Sequence, residues 1–194
     1  MTRSSRVLVA ACVALAGPVA VATAATKAGV TMPDTMQVGG ATVQLNGLGV
    51  RSFTVLQIRG YVAGLYLTKK TQDAEEALSE PGPKALVIQY VRGATASQVH
   101  DLYMESSRKY CDHHSCSDSD KRSFETLLGT VRDVKPGDRT GFLISDTGVA
   151  VQFDGRQVAH LPDPAFGRVI LDSDLGASPP SAELKNGLLG RNDS

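Results

Sequence analysis

Leu45-Asn46-Gly47-Leu48-Gly49-Val50-Arg51 and, nine residues further on, Tyr61-Val62-Ala63-Gly64-Leu65-Tyr66-Leu67 form the stretch from which the fold is read. Both pieces are rich in aliphatic and β-branched residues, which suit extended backbone. The apolar alternation slips between Val55 and Leu56, so a tight turn is expected near Phe53 to Leu56, joining two antiparallel strands. Gly47 and Gly49 mark a turn or bulge on the way. Arg51 and Tyr61 lie on these neighbouring strands and face the same side only for one parity of the pairing register. The sequence leaves that register open.

Upstream, Ala41 to Leu45 alternates and is β-like, whereas Lys27 to Gly40 is polar, contains glycine, proline and threonine, and reads as an irregular lead-in. Downstream, Thr71 to Leu78 predicts a short helix with acids in its first turns, stopped before Pro81-Gly82-Pro83. Ala85 to Val91 is a continuous apolar run of strand length, as expected of a strand covered on both faces or nearly so. Thr95-Ala96-Ser97-Gln98 has the form of a capping box. Val99, Leu102, Tyr103, Ser106 and Tyr110 follow at helical spacing, giving a helix of about four turns.

A second helix is expected after Ser117-Asp118-Ser119-Asp120, carrying Phe124, Leu127 and Leu128. Three strand-like pieces follow, Thr140 to Ile144, Gly148 to Phe153 and Gln157 to Leu161, the last two joined by the hairpin signal Asp154-Gly155. Ala165 to Leu171 reads as a short helix, and a last helix opens at Ser178-Pro179-Pro180 and ends at Asn186-Gly187. Strands, a block of helices, three strands and more helices spell an α+β domain: one antiparallel β-sheet covered on one face by a layer of helices.

The chain has 194 residues, 42% apolar and 21% charged, which fits one domain of ordinary size. Twenty basic residues balance twenty acidic ones, so no single-sign field gathers nucleic acid, which is dropped as a partner. Arg3 and Arg6 ahead of the apolar run Val7 to Ala16, then Gly17-Pro18 and Ala22-Thr23-Ala24, read as a signal peptide (residues 1–25) cleaved after Ala24 or Ala25. The folded domain would then span 26–194. No later stretch is long and apolar enough for a membrane span, so a periplasmic or secreted location is expected. Val9-Ala10-Ala11-Cys12 has the shape of a lipoprotein box, but few apolar residues precede Cys12 and the apolar run continues past it.

Cys111 and Cys116 remain once this segment is removed, and a disulfide between them suits an oxidising compartment. Metal binding with His113 and His114 is the rival reading. Adjacent histidines on so short a loop point poorly at one ion together with both sulfurs, so no metal is assigned. A Gly-x-Ser-x-Gly elbow, a Walker loop and His-Glu-x-x-His are all missing. His100, on a polar helix flank, and His160, at a strand end, read as solvated. No residue is assigned a catalytic role and no cofactor is expected. Arg51 and Tyr61 remain as candidates: a buried guanidinium wants an anion and fits a carboxylate bidentately, and a phenol adds one more donor. The plain alternative pairs Arg51 with a structural Asp or Glu and merely packs Tyr61.

Gly49-Val50-Arg51, Gly64-Leu65-Tyr66-Leu67, the strand before Arg92 and the C-terminal Ala182 to Gly190 together resemble the chalcone isomerase-like family, in its exported bacterial branch. The resemblance covers about Met36 to Gly190 and implies a cleft between an antiparallel sheet and a helical layer. In true isomerases an arginine at the position of Arg51 holds the nucleophilic phenolate, a threonine stands in place of Tyr61, and a tyrosine by the long helix is followed seven residues later by an asparagine. This chain has no asparagine between Asn46 and Asn186, which weighs against flavonoid cyclisation. Ser181 stands near the place of a threonine or serine beside their last helix.

Relatives of this family that bind fatty acids carry an arginine and a tyrosine in the places of Arg51 and Tyr61. The resemblance therefore implies, first, non-catalytic binding of a fatty acid or similar apolar carboxylate by Arg51 and Tyr61. The alternatives are an intramolecular lyase acting on a phenolic substrate through Arg51, and a structural or interaction module with a filled cleft.

Overall fold

The computed structural model describes residues 23–53 and 56–191; most of the proposed signal segment and the Cys12 box lie outside the described residues. Nine strands and five helices follow in the order β1 (Ala24–Lys27), β2 (Val30–Pro33), β3 (Thr35–Val38), β4 (Ala41–Phe53), β5 (Ile58–Leu67), α1 (Ala74–Ser79), β6 (Lys84–Tyr90), α2 (Ala96–His113), α3 (Asp118–Leu128), β7 (Arg139–Ser145), β8 (Gly148–Phe153), β9 (Arg156–Leu161), α4 (Phe166–Leu175) and α5 (Ala182–Leu188). Strands β3 to β9 pair in sequence order as one antiparallel seven-stranded sheet, and β1 with β2 forms a separate hairpin. The expected α+β architecture, an antiparallel sheet topped by helices, is what is found.

The sheet separates two apolar layers. On the helical face Leu65, Leu67, Leu86, Phe142, Ile144 and Val149 pack with Phe166, Leu171, Leu184 and Leu188. On the opposite face Val30 and Met32 of β2 pack with Val43, Leu45, Val62 and Tyr66. Covered on both sides, β5 is buried at every position from Gly60 to Leu67. This corrects the reading of Lys27 to Gly40 as irregular. That stretch holds β2, β3 and the end of β1, each strand only four residues long. So short an alternation is a weak signal in sequence; burial of Val30 and Met32 against the sheet stabilises it. Cleavage after Ala24 or Ala25 would fall inside β1.

Strand β4 does not turn at its glycines. It runs through with a register shift between Leu45 and Gly47. Ahead of the shift the odd-numbered Val43 and Leu45 face the hairpin, and beyond it the even-numbered Leu48 and Val50 do. The bulge therefore moves Gly47, Gly49 and Arg51 onto the helical face. Asn46 holds it in place: its amide donates to the carbonyls of Thr71 (2.9 Å) and Leu188 (2.8 Å), and its carbonyl accepts from the Thr71 N–H (2.8 Å). Helix α5 then lies directly on β4. A Cβ at Gly49 would sit 2.3 Å from the Leu184 carbonyl oxygen, and one at Gly187 would sit 2.4 Å from that of Leu48.

Several helix boundaries also differ from expectation: α1 starts at Ala74, not Thr71, with Asp73 as its cap, and α3 starts at Asp118, ahead of Asp120, with Ser117 as its cap. Helix α4 continues past Leu171 to Leu175, because burial of Leu171 and Leu175 outweighs the weak helix preference of Asp172, Ser173 and Asp174. Helix α5 starts later than expected. Ser181, extended at φ −159°, is its cap and accepts from the Leu184 N–H at 3.1 Å, so both prolines precede the helix; it also runs through Gly187 to Leu188. The capping box at the start of α2 is present, with Thr95 accepting from the Gln98 N–H and Gln98 from the Thr95 N–H. At the other end of α2, Cys111 and Cys116 are joined in a disulfide. Asp154 and Gly155 both take positive φ, as a two-residue hairpin requires.

The contact between β4 and α5 makes a direct prediction. Gly49→Ala must push two backbones apart and is expected to lose about 1–3 kcal/mol of stability, or more. Asn46→Ala, which leaves buried partners of its amide unmatched, is expected to lose about 1–3 kcal/mol. Urea denaturation of the two variants beside the parent protein measures both.

Candidate ligand-binding site

The register settles what the sequence left open. Arg51 pairs directly with Tyr61 across β4 and β5, so both side chains stand on the helical face. Tyr66, the second tyrosine of that strand, points to the other face, where its hydroxyl donates to the Pro33 carbonyl at 2.9 Å; burial pushes its pKa up to about 12.

Arg51 is held from three sides. Its Nη1 donates to the Pro180 carbonyl, which the late start of α5 leaves free, and its guanidinium carbon lies 4.8 Å from the centre of the Phe53 ring. The third neighbour is a charge. Asp174 of α4 is buried, and Arg51 pulls its pKa down against a larger upward push from burial, leaving it at about 7. Arg51 and Asp174 form no ion pair, and Nε of Arg51 is buried without a hydrogen-bond partner among the described residues.

Tyr61 is 5% exposed and stands in a row of rings. Its centre is 6.4 Å from Phe53 and 6.3 Å from Tyr90, edge to face in both cases. The Phe53 ring lies over Gly60, where a Cβ would come within 2.2 Å of it. Burial, and then the nearby Asp174, push the Tyr61 phenol well above its ordinary pKa, so it is a neutral donor at physiological pH. Tyr103 of α2 is raised by burial in the same way, with Tyr90 adding to it.

Four hollows open against α2 among the described residues: the smallest, about 20 Å³, is lined by Val99 and Tyr103 with Tyr90, Thr140 and Val151 of the sheet, and three more share Leu102. The largest, about 470 Å³, is lined by Phe53, Ile58, Tyr61 and Tyr90 from the sheet and by Val99 and Leu102 from α2, with Arg92 and Glu105 also on its wall. An inner one of about 60 Å³ is lined by Tyr61, Leu102, Tyr103, Ser173 and Asp174. The third, about 40 Å³ and polar, holds Arg51, Lys109, His113, His114 and Asp172. The sequence names Arg51 and Tyr61 without fixing whether they share a face; the structure pairs them on one face but sets them in different hollows, both bordered by Leu102. Helix α2 covers them lightly, since Val99 alone of its eighteen residues is fully buried.

Asp174 escaped the sequence reading, although a signal for it exists. Phe166, Ile170 and Asp174 follow at spacings of four, placing a carboxyl on the apolar stripe of a helix. Ser181 is committed to capping α5. His113 is bonded to Ser178 at 3.1 Å, and His114 lies 3.3 Å from Asp172 and stacks on Tyr110. No group of three or more metal-ligating side chains comes together, and no helix is long and apolar enough to cross a membrane, among the described residues.

Comparison with known proteins adds two findings. A family model described as chalcone isomerase-like matches residues 24–190. Among solved structures, the crystal structure of the Arabidopsis thaliana fatty-acid binding protein AtFAP1 is similar, with a TM-score of 0.69 at 17% sequence identity, covering 86% of this chain and 96% of that one. No curated protein matches.

The buried acid makes stability depend on pH with a defined sign. A carboxyl whose pKa is raised on folding, from 3.8 to about 7, binds its proton more tightly in the folded state, so its contribution falls as pH rises from about 4 to about 7. At roughly 1.4 kcal/mol per unit the change is a few kcal/mol. The stability difference between Asp174→Asn and the parent is expected to move in the variant's favour by that order between about pH 4 and pH 8, as read from denaturation curves across the range.

Proposed function

The chain belongs to the chalcone isomerase-like family, and on that premise we propose that it is a non-catalytic binding protein for a fatty acid or similar apolar carboxylate. The observation that carries this reading is the direct pairing of Arg51 with Tyr61 beneath a lightly packed helix, beside an apolar cleft of about 470 Å³. That volume is in the range of small-molecule sites. The acyl chain lies in the cleft against Phe53, Ile58, Tyr90 and Val99, and the headgroup passes Leu102 to meet Tyr61 and Arg51. The similar AtFAP1 is by name a fatty-acid binding protein, which supports the same assignment.

Magnitudes divide the labour. Ten buried methylenes contribute about 8 kcal/mol at roughly 0.8 kcal/mol each, before the cost of ordering the chain. A charge-assisted hydrogen bond to the headgroup adds about 1.5–3 kcal/mol. The tail supplies affinity; Arg51 and Tyr61 supply orientation and the preference for an acid. A filled structural cleft fits less well, since the cleft is open and Arg51 closes no internal ion pair. Cyclisation of a chalcone finds no support either: the asparagine is missing and Ser181 is occupied. The signal-peptide pattern in the sequence of residues 1–25 and the disulfide between Cys111 and Cys116 support a periplasmic or secreted protein.

Native mass spectrometry of the gently purified protein is expected to show a bound long-chain acid. Titration with dodecanoate is expected to show Arg51→Ala binding roughly ten- to a hundredfold more weakly, while Arg92→Ala, at the outer wall of the cleft, stays close to the parent. A larger loss in Arg92→Ala would place the headgroup at the outer wall; no acid bound in either experiment would remove the assignment.

A further inference from the structure

Asp174 is buried and Arg51 half-buried, and these two groups of opposite charge have not paired. Asp174 is 8% exposed as a residue, lines the inner hollow with Tyr61, and its carboxyl makes no hydrogen bond among the described residues. Nε of Arg51 is equally without a partner. Buried polar groups are nearly always satisfied, and two opposite charges serving only the fold would be expected to close on each other. A carboxylic acid headgroup between them matches both: it accepts from a guanidinium and from the Tyr61 phenol, and it can share a proton with a second carboxyl.

We propose that Asp174 is a second recognition group of the site, holding the guest's carboxyl through one shared proton, so that the protein takes up its ligand together with a proton. This rests on the reading of Arg51 and Tyr61 as the headgroup site. Above neutral pH the guest arrives as a carboxylate, Asp174 is ionised, and solvent supplies the proton. The bound state then has two carboxyls and one proton facing one guanidinium, and is electrically neutral. No covalent bond to carbon is made or broken. Two carboxyls in one site share a proton because both cannot comfortably ionise there. The guest removes the proton-free form of Asp174 and leaves Arg51 with an anionic partner.

Asp174, brought to about 7, shares its hollow with three phenols. Tyr61, Tyr90 and Tyr103, which line its hollow from β5, β6 and α2, are all raised above their ordinary values and stay neutral. In the adjoining hollow Arg51 stands with Lys109, His113, His114 and Asp172, with Glu105, whose pKa is lowered by its hydrogen bond to Lys109, and with Tyr110, whose pKa is raised by burial. Lys185 of α5 donates to the Gly176 carbonyl at 2.8 Å. Burial has already brought Asp174 to about 7, so its ionisation falls where a second carboxyl would be felt.

The test is isothermal titration calorimetry of the full folded protein with dodecanoate, in two buffers of different ionisation enthalpy. Uptake close to one proton is expected at about pH 8.5 and close to none at about pH 6, with affinity falling about tenfold per pH unit above Asp174's own titration. Asp174→Asn, which donates a hydrogen bond at every pH, is expected to bind with no proton uptake and a flat profile. Dodecanoate binding to the parent without uptake, or a slope that persists in Asp174→Asn, overturns the inference and leaves the proposed function standing. No binding at any pH overturns both. Should Asp174→Asn fail to fold, the heats of the parent in the two buffers decide the matter alone.

Discussion

The bulge at Asn46 is the constraint from which the site descends. Side chains on a strand alternate with period two, so one inserted residue reverses which face every later side chain meets. Without it Arg51 would share the face of Val43 and Leu45 and point into the hairpin layer. With it, Gly47 and Gly49 meet the backbone of α5, and Arg51 meets the helical layer. The three hydrogen bonds of the Asn46 side chain tie this shift to the Thr71 loop and to the end of α5, so strand phase and helix position are held by the same side chain. Close contact of α5 with β4 in turn brings the Pro180 carbonyl to Arg51.

Around that point the helical layer is uneven. Helices α4 and α5 bury most of their apolar residues completely, whereas α2 buries only Val99 completely and packs on the sheet through the half-buried Leu102, Tyr103 and Tyr110. Few buried apolar contacts are the structural mark of a segment that opens readily. Hollows lie under this helix and along its flank, and Leu102, half-buried, borders three of the four. The disulfide at the far end of α2 ties its last turn to the start of α3, so the cover is fastened at one end and capped by Thr95 and Gln98 at the other.

Electrostatics give the pocket its chemical bias. Arg51 brings a charge that burial alone would make costly, and Asp174 compensates it at a distance without closing on it. The phenols of Tyr61, Tyr90 and Tyr103 are all held neutral by burial. The result is a largely apolar enclosure with neutral phenol donors on its wall.

Much of this was legible in the chain itself. The strands from Ala41 to Leu67, the capping box of α2, the Asp154-Gly155 hairpin and the α+β order are local patterns, set by residue periodicity and by turn and cap chemistry within a few residues. Arg51, Tyr61 and the two cysteines could be named for the same reason: their side-chain chemistry is visible without coordinates. What sequence could not supply depends on distant partners. The register that pairs Arg51 with Tyr61, the strand character of β1 to β3, the reach of α4 to Leu175 and the inward turn of Asp174 all come from packing between segments far apart in the chain, where burial outweighs weak or contrary local preference. Residue type determined which groups could serve a site; only tertiary contact decided which of them face one another, because facing is a property of packed surfaces and not of neighbouring residues.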